Sequence, residues 1–219
     1  MCDKPILSVI MAAWSPNKYR INLLKETLKS FENSIEIPYE FIILDNGPKE
    51  QTEILKNSNA DFVIHNKINK GLGYSWNKGF DIAKGEYISL IDSDLLFVKG
   101  WADECINLLM KYPNKKLIAT ALAGYHHHDP KYLVGNLDGN YLWRRTGTAG
   151  SVFRKTVIDE TGKWDVHPKP GVSWCNQLTA RNWKFISLKI PKVIHRGIVR
   201  SYNDKNLLIG GKWKKEWDL

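Results

Sequence analysis

Short apolar runs alternate with helical patterns along the first 121 residues, and this alternation leaves few architectures open. Ile6–Met11, Tyr39–Leu44, Asp61–His65, Glu86–Ile91 and Leu117–Ala121 read as buried strands. Between the first two, Ile21, Leu24, Leu28 and Phe31 recur at helical spacing. Residues 50–57 fit a short helix. Leu72, Trp76, Phe80 and Ala83 share one helix face, and Ala102–Tyr112 is helical up to the stop at Pro113. Strands separated by helices predict an α/β fold, with one mostly parallel, Rossmann-like sheet flanked by helices. Right-handed crossovers carry the strand C-termini to one edge, where such folds bind ligands. Trp14, Asp45 and Asp92-Ser93-Asp94 all follow strands and are expected to gather there.

The second half is less regular. Residues 122–150 read as loop-rich, with Gly124, Gly135, Gly139, Gly147 and Gly150. Gly150–Arg154 fits a strand, followed by a short helix through Glu160 and a loop over Gly162–Gly171. Trp174–Asn182 fits a helix, and Phe185–Leu188 and Val193–Ile194 fit strands. No repeat or interdomain linker interrupts the chain, so its 219 residues suit a single domain.

Composition closes off other classes. With 43% hydrophobic and 25% charged residues the chain is neither fibrous nor disordered. The longest apolar run, Val9–Trp14, is far too short to cross a bilayer, and the opening Met-Cys-Asp-Lys-Pro carries no signal-peptide pattern. Cys2, Cys105 and Cys175 form no CxxC, which points to a reducing, cytoplasmic setting. The net charge of +9 is uneven: residues 181–219 hold ten Lys and Arg against three Asp and Glu, a net of +7. That segment also carries Trp183, Trp213 and Trp217, and suits phosphates, nucleic acid or peripheral contact with an anionic membrane surface. A solvated basic tail explains it equally well.

Asp92-Ser93-Asp94 is the sharpest chemical feature. Two carboxylates just past a buried strand cannot both be left unpaired in a core. They can converge on a hard divalent cation that keeps positions open for phosphates, although a capping turn has the same composition. Upstream, Asn69-Lys70-Gly71-Leu72-Gly73 opens a helix, where glycines permit close backbone approach and the N-terminus attracts anions. Neither the GxxxxGK[ST] nor the GxGxxG spacing is present.

In this order the signals resemble the family 2 glycosyltransferases, which have the GT-A fold. The likeness runs through LSVIMAAW, YEFIILDNG, NKGLGYSWNKGF and AKGEYISLIDSDLLFVKGW over residues 6–101. It continues more weakly through Gly150–Lys155, Thr161–Asp165, Arg181 and Val193–His195. It implies a nucleotide-sugar-binding half over residues 1–101, an acceptor-side half over 102–195 and a basic tail over 196–219. Ala12, Ala13 and Trp14 would border the nucleobase, and Asp45 would accept a hydrogen bond from a uracil-type base. Asn69, Gly71 and Asn77 would line the nucleotide pocket. Asp92 would sit near ribose and metal, Asp94 would ligate Mn²⁺ or Mg²⁺, and His195 would add a metal or diphosphate contact. The metal would neutralise charge growing on the departing diphosphate.

The chain departs from the family where inverting members carry Glu-Asp, six to seven residues before the arginine matching Arg181. Here those positions are Trp174 and Cys175, followed by Asn176 and Gln177, and none of these is a useful base. Either Asp165 or Asp138 serves as base, or the reaction retains configuration, or the chain only binds. The expected function is metal-dependent transfer of a sugar, from a UDP-sugar by the family's habit, to a hydroxyl on a glycan or lipid-linked glycan. A hydroxylated base in DNA is the alternative acceptor, read from the basic C-terminal segment. A silent nucleotide-sugar or nucleic-acid binding module is the other alternative. A nucleotidyltransferase would need a Gly-rich basic loop after the first strand, which Ala12–Pro16 does not supply.

Three further features are weaker. His126-His127-His128-Asp129 more readily forms a surface loop than a metal site, because adjacent strand residues point to opposite faces. Cys175 lacks a nucleophile's His and Asn partners in sequence and reads as structural. Trp143-Arg144-Arg145 suits either phosphate and ring contacts or an ordinary strand end.

Overall fold

Strand β1 (Leu7–Ala13) is buried on both faces, and its residues alternate between two cores. Leu7, Val9, Met11 and Ala13 join one, and Ile10 joins the other. Phe41 and Ile43 against Ile42 and Leu44 repeat the division on β2 (Tyr39–Asp45). Only a sheet covered on both sides explains near-continuous apolar strands. The computed structural model of the protein describes residues 4–122, 129–164 and 170–196.

The remaining strands are β3 (Phe62–His65), β4 (Tyr87–Asp92), β5 (Leu95–Phe97), β6 (Leu117–Thr120), β7 (Leu133–Leu137), β8 (Asn140–Trp143), β9 (Ser151–Arg154), β10 (Lys184–Ser187) and β11 (Val193–His195). The helices are α1 (Lys18–Phe31), α2 (Lys49–Lys56), α3 (Leu72–Ile82), α4 (Trp101–Lys111), α5 (Thr156–Thr161) and α6 (Pro170–Ala180). A nine-stranded sheet runs in the order β3-β2-β1-β4-β9-β6-β10-β8-β7. Only β9 and β8 oppose the common strand direction, so the sheet is mostly parallel, as expected.

Helices cover both faces. Leu24 and Phe31 of α1, Leu55 of α2 and Trp101, Ile106 and Leu109 of α4 pack on one. Trp76 and Phe80 of α3, Val157 of α5 and Trp174 and Leu178 of α6 pack on the other. Asn17 caps α1 by accepting from the Arg20 amide at 3.0 Å. Gly79 lets α3 lie directly on β1, since a Cβ there would stand 2.4 Å from Ile10 Cγ2.

Two expectations change. The sheet is not the only one: β5 and β11 form a separate antiparallel ribbon, with His195 opposite Leu95. A three-residue strand following immediately on Asp92-Ser93-Asp94 has no periodicity of its own to reveal it. The loop-rich reading of 122–150 also fails between Leu133 and Trp143, where β7 and β8 form a hairpin. Its turn is Asp138-Gly139, with φ of 51° and 85°, the left-handed pair that tight hairpin turns require.

Candidate active site

The C-terminal edge of the sheet collects most of the residues singled out in the sequence. Pairing sets Ala13 of β1 beside Asp45 of β2, and Ala12 beside Asp92 of β4. Trp14 follows β1 and stands 53% exposed at this edge. Asn69 accepts from the Gly71 amide at 2.8 Å, and Gly71 takes φ 81°, which only glycine adopts cheaply. Asn46 Oδ1 accepts from the Lys70 amide at 3.3 Å and ties this turn to the end of β2.

Asp92, Asp94 and His195 form one cluster, each offering a ligand atom within 4.8 Å of the others. β4 ends at Asp92, the next turn carries Asp94, and the β5–β11 ribbon delivers His195. The Arg196 amide donates to the Asp94 carbonyl at 2.8 Å and continues the ribbon past His195. His195 Nε2 lies 3.0 Å from Asp94 Oδ1, and Arg20 Nη1 donates to Asp94 Oδ2.

The electrostatics divide the two acids. Burial pushes the Asp92 carboxyl up to about 6, partly countered by His195. Burial also works against the charge on Asp94, but the hydrogen bonds and charges of His195 and Arg20 outweigh it and hold its carboxyl below the usual range. Burial opposes charge on His195 too, yet the bond to Asp94 and the charges of both acids raise it. Two carboxylates and an imidazole are an oxygen-rich set suited to Mn²⁺ or Mg²⁺.

Two residues expected at the nucleotide also make bonds within the fold. Asp45 is fully buried, and both carboxylate oxygens accept bonds from the chain itself. Gly47 N and Gln51 Nε2 donate to Oδ1, while Thr52 Oγ1 at 2.6 Å and His65 Nδ1 at 2.9 Å meet Oδ2. These bonds make the Asp45 acid a fastener that holds α2 and β3 on β2. Asn77 is half-buried and bonded within the chain. It donates to the Trp164 carbonyl at 2.8 Å and accepts from the Trp164 amide at 2.7 Å, locking α3 to the segment after α5.

Of the two carboxylates considered as base, Asp138 is among the described residues and stands apart from the cluster. Asp138 sits in the β7–β8 turn, ion-paired to Lys111 at 2.8 Å and accepting from Tyr112 Oη. β7 is the fifth strand from β4, on the order of 20 Å away at ~4.8 Å per strand. The bonds from Lys111 and Tyr112 hold its carboxyl below the usual range, which weakens it further as a base. Asp165 lies outside the described residues, as do His126-His127-His128 and the basic tail beyond Arg196. The DNA-acceptor reading drew mostly on that tail, and to that extent lies outside the described residues too.

The α6 positions of the family's acid pair are core. Trp174 is 1% exposed and stacks on Trp164 at 4.6 Å. Cys175 is buried, and burial pushes its thiol up to about 11, too high for a nucleophile. Trp143 packs in the core and donates to Ser187 at 3.2 Å, while Arg145 lies over the Tyr132 ring at 5.5 Å.

Arg20 is the site residue that the sequence reading missed. Its signal was faint: α1 has basic residues and no acid in its first turn, where the helix dipole disfavours positive charge.

Comparison with known proteins agrees with this geometry. The family model described as "Glycosyl transferase family 2" matches residues 8–165. An uncharacterized glycosyltransferase MJ1057 of Methanocaldococcus jannaschii is 38% identical over 99 residues, covering 42% of this chain and 33% of its own. Glycosyltransferase GlyG of Streptococcus pneumoniae is 26% identical over 147 residues, covering 65% of this chain and 44% of its own. The chain thus spans less than half the length of these relatives. The crystal structure of GalNAc-T7 with UDP, GalNAc and Mn²⁺ superposes with a TM-score of 0.65 at 13% identity, covering 88% of this chain and 44% of that one. That likeness shows the GT-A fold. Among the described residues no helix is long and apolar enough to cross a membrane.

Proposed function

The chain belongs to glycosyl transferase family 2, and from that membership we propose that it transfers a sugar from a nucleotide-sugar donor, a UDP-sugar, to a hydroxyl of a glycan or lipid-linked glycan. The convergence of Asp92, Asp94 and His195 at the sheet edge carries this reading. These three would hold Mn²⁺ or Mg²⁺, which when bound supplies positive charge against the diphosphate leaving group. The UDP and Mn²⁺ named with GalNAc-T7 support both choices.

The chain's own residues do the rest. Half-buried Ala12 lies beside Asp92 near the end of β1, Ala13 packs in the core behind it, and exposed Trp14 offers a ring face for the base or sugar. Asn69 and Gly71 shape the turn that opens α3, whose N-terminus favours a phosphate. With α6 supplying core residues instead of an acid, Asp165 is the carboxylate assigned to take the acceptor's proton. Asp165→Asn is then expected to slow turnover about 10²–10⁴-fold with nucleotide binding unchanged.

The test is thermal unfolding with UDP, GDP, CDP and ADP, each with and without Mn²⁺. A midpoint rise for UDP that requires Mn²⁺, and is lost in Asp94→Ala, is the expected result. A metal-independent shift, or one that survives Asp94→Ala, would sink the reading.

A further inference from the structure

We propose that Arg20 is a built-in counter-cation of this site: it holds Asp94 while no divalent ion is bound, and passes to the donor's diphosphate when one enters. The inference rests on the metal reading above and deepens it.

Both oxygens of Asp94 are engaged, Oδ1 by His195 and Oδ2 by Arg20. His195 can become a ligand once it gives up the proton it shares with Asp94, because the imidazole then has a lone pair on Nε2. Arg20 cannot: a guanidinium stays protonated and has no lone pair. It is therefore the group that must yield Oδ2 or repel the incoming ion. Without it, Asp92 and Asp94 would face each other in a poorly solvated site with His195 as their nearest cationic group. With a divalent ion present, the two carboxylates are already neutralised and Arg20 becomes surplus positive charge.

The position of Arg20 supports movement between two anions. It lies in the first turn of α1, where the dipole disfavours a cation and an anionic partner must compensate. The Asn17 cap holds its backbone, so the side chain is what moves. That side chain is 37% exposed, whereas that of Asp94 is 9% exposed, so Arg20 has open space beside the bond it makes. A planar guanidinium pairs with phosphate oxygens in the same two-pronged way as with a carboxylate.

The experiment is direct titration of Mn²⁺ into the full chain without nucleotide, followed by electron paramagnetic resonance of the free ion. UDP is then titrated at saturating Mn²⁺. The proteins are wild type, Arg20→Gln, Arg20→Met, Arg20→Lys and Asp94→Asn. Removing the charge in Arg20→Gln or Arg20→Met is expected to tighten Mn²⁺ roughly tenfold and to weaken UDP by a similar factor. Arg20→Lys, which keeps the charge, should bind Mn²⁺ like wild type. Unchanged or weaker Mn²⁺ binding in both charge-free variants, or undiminished UDP binding, overturns the proposal and leaves Arg20 as a mere support for Asp94. Using both variants protects the test from a folding defect in either. Mn²⁺ binding that persists in Asp94→Asn instead overturns the metal reading itself, whatever Arg20 does.

Discussion

His195 Nε2 lies 3.0 Å from Asp94 Oδ1 because β11 pairs with β5 in a register that sets His195 opposite Leu95, the residue after Asp94. The contact joins the end of the described chain to the middle of the sheet, and it brings His195 into the cluster proposed to hold the metal. His195→Ala should weaken Mn²⁺ at least roughly tenfold, a loss comparable to that caused by removing partners of metal ligands. Isothermal titration with Mn²⁺ reads this directly. Wild-type affinity in the variant would reduce His195 to a fastener of the ribbon.

Asp92 links the site to pH. Its folded carboxyl sits at about 6, above the ordinary 3.8, and burial is the main cause. A raised acid contributes stability that is fully present below its unfolded value and lost as pH rises through the folded one. Metal-free protein should therefore lose this contribution between about pH 4 and 6, and Asp92→Asn should be the more stable metal-free form at pH 7.5, with the advantage gone by pH 4. Mn²⁺ must displace the proton, so wild-type affinity should fall as pH drops through about 6. Urea unfolding and Mn²⁺ titration across pH 4–8 check both signs.

Asp45 is tested by separating folding from recognition. Asp45→Asn places an amide N–H against Thr52 or His65, or leaves the Gly47 amide unpaired, and should cost roughly 1–3 kcal/mol of stability. Nucleotide preference should be unchanged among folded molecules. A variant of wild-type stability that no longer distinguishes UDP from CDP would restore Asp45 to the base.

Gly79 is a packing constraint on the strand that leads to the site. An alanine there brings its Cβ to 2.4 Å from Ile10 Cγ2. Overpacking of this kind costs roughly 1–3 kcal/mol, set against about 1 kcal/mol gained in helix propensity. The net effect should be destabilising in urea denaturation, and Ile10→Ala should couple to it favourably, the double variant losing less than the sum of the two singles.

The architecture was legible because it is written in local chemistry. Alternating apolar runs and helical spacings act through backbone conformation and short-range packing, so their effects survive in a one-dimensional pattern. Asp92 and Asp94 were legible for a related reason: two acids ending a buried strand must be paired. Arg20, the β5–β11 ribbon and the inward bonds of Asp45 and Asn77 were not. The Asn77–Trp164 bonds span 87 residues and the Arg20–Asp94 bond spans 74, and both depend on where helices land on a twisted sheet. A side chain's partner is chosen by that landing, at a scale of a few ångströms, which residue spacing does not encode. The sequence alone therefore determined the α/β order and the acids at its edge. The tertiary structure alone decided which polar groups were left for a ligand, because each buried hydrogen bond made within the fold removes one from the site.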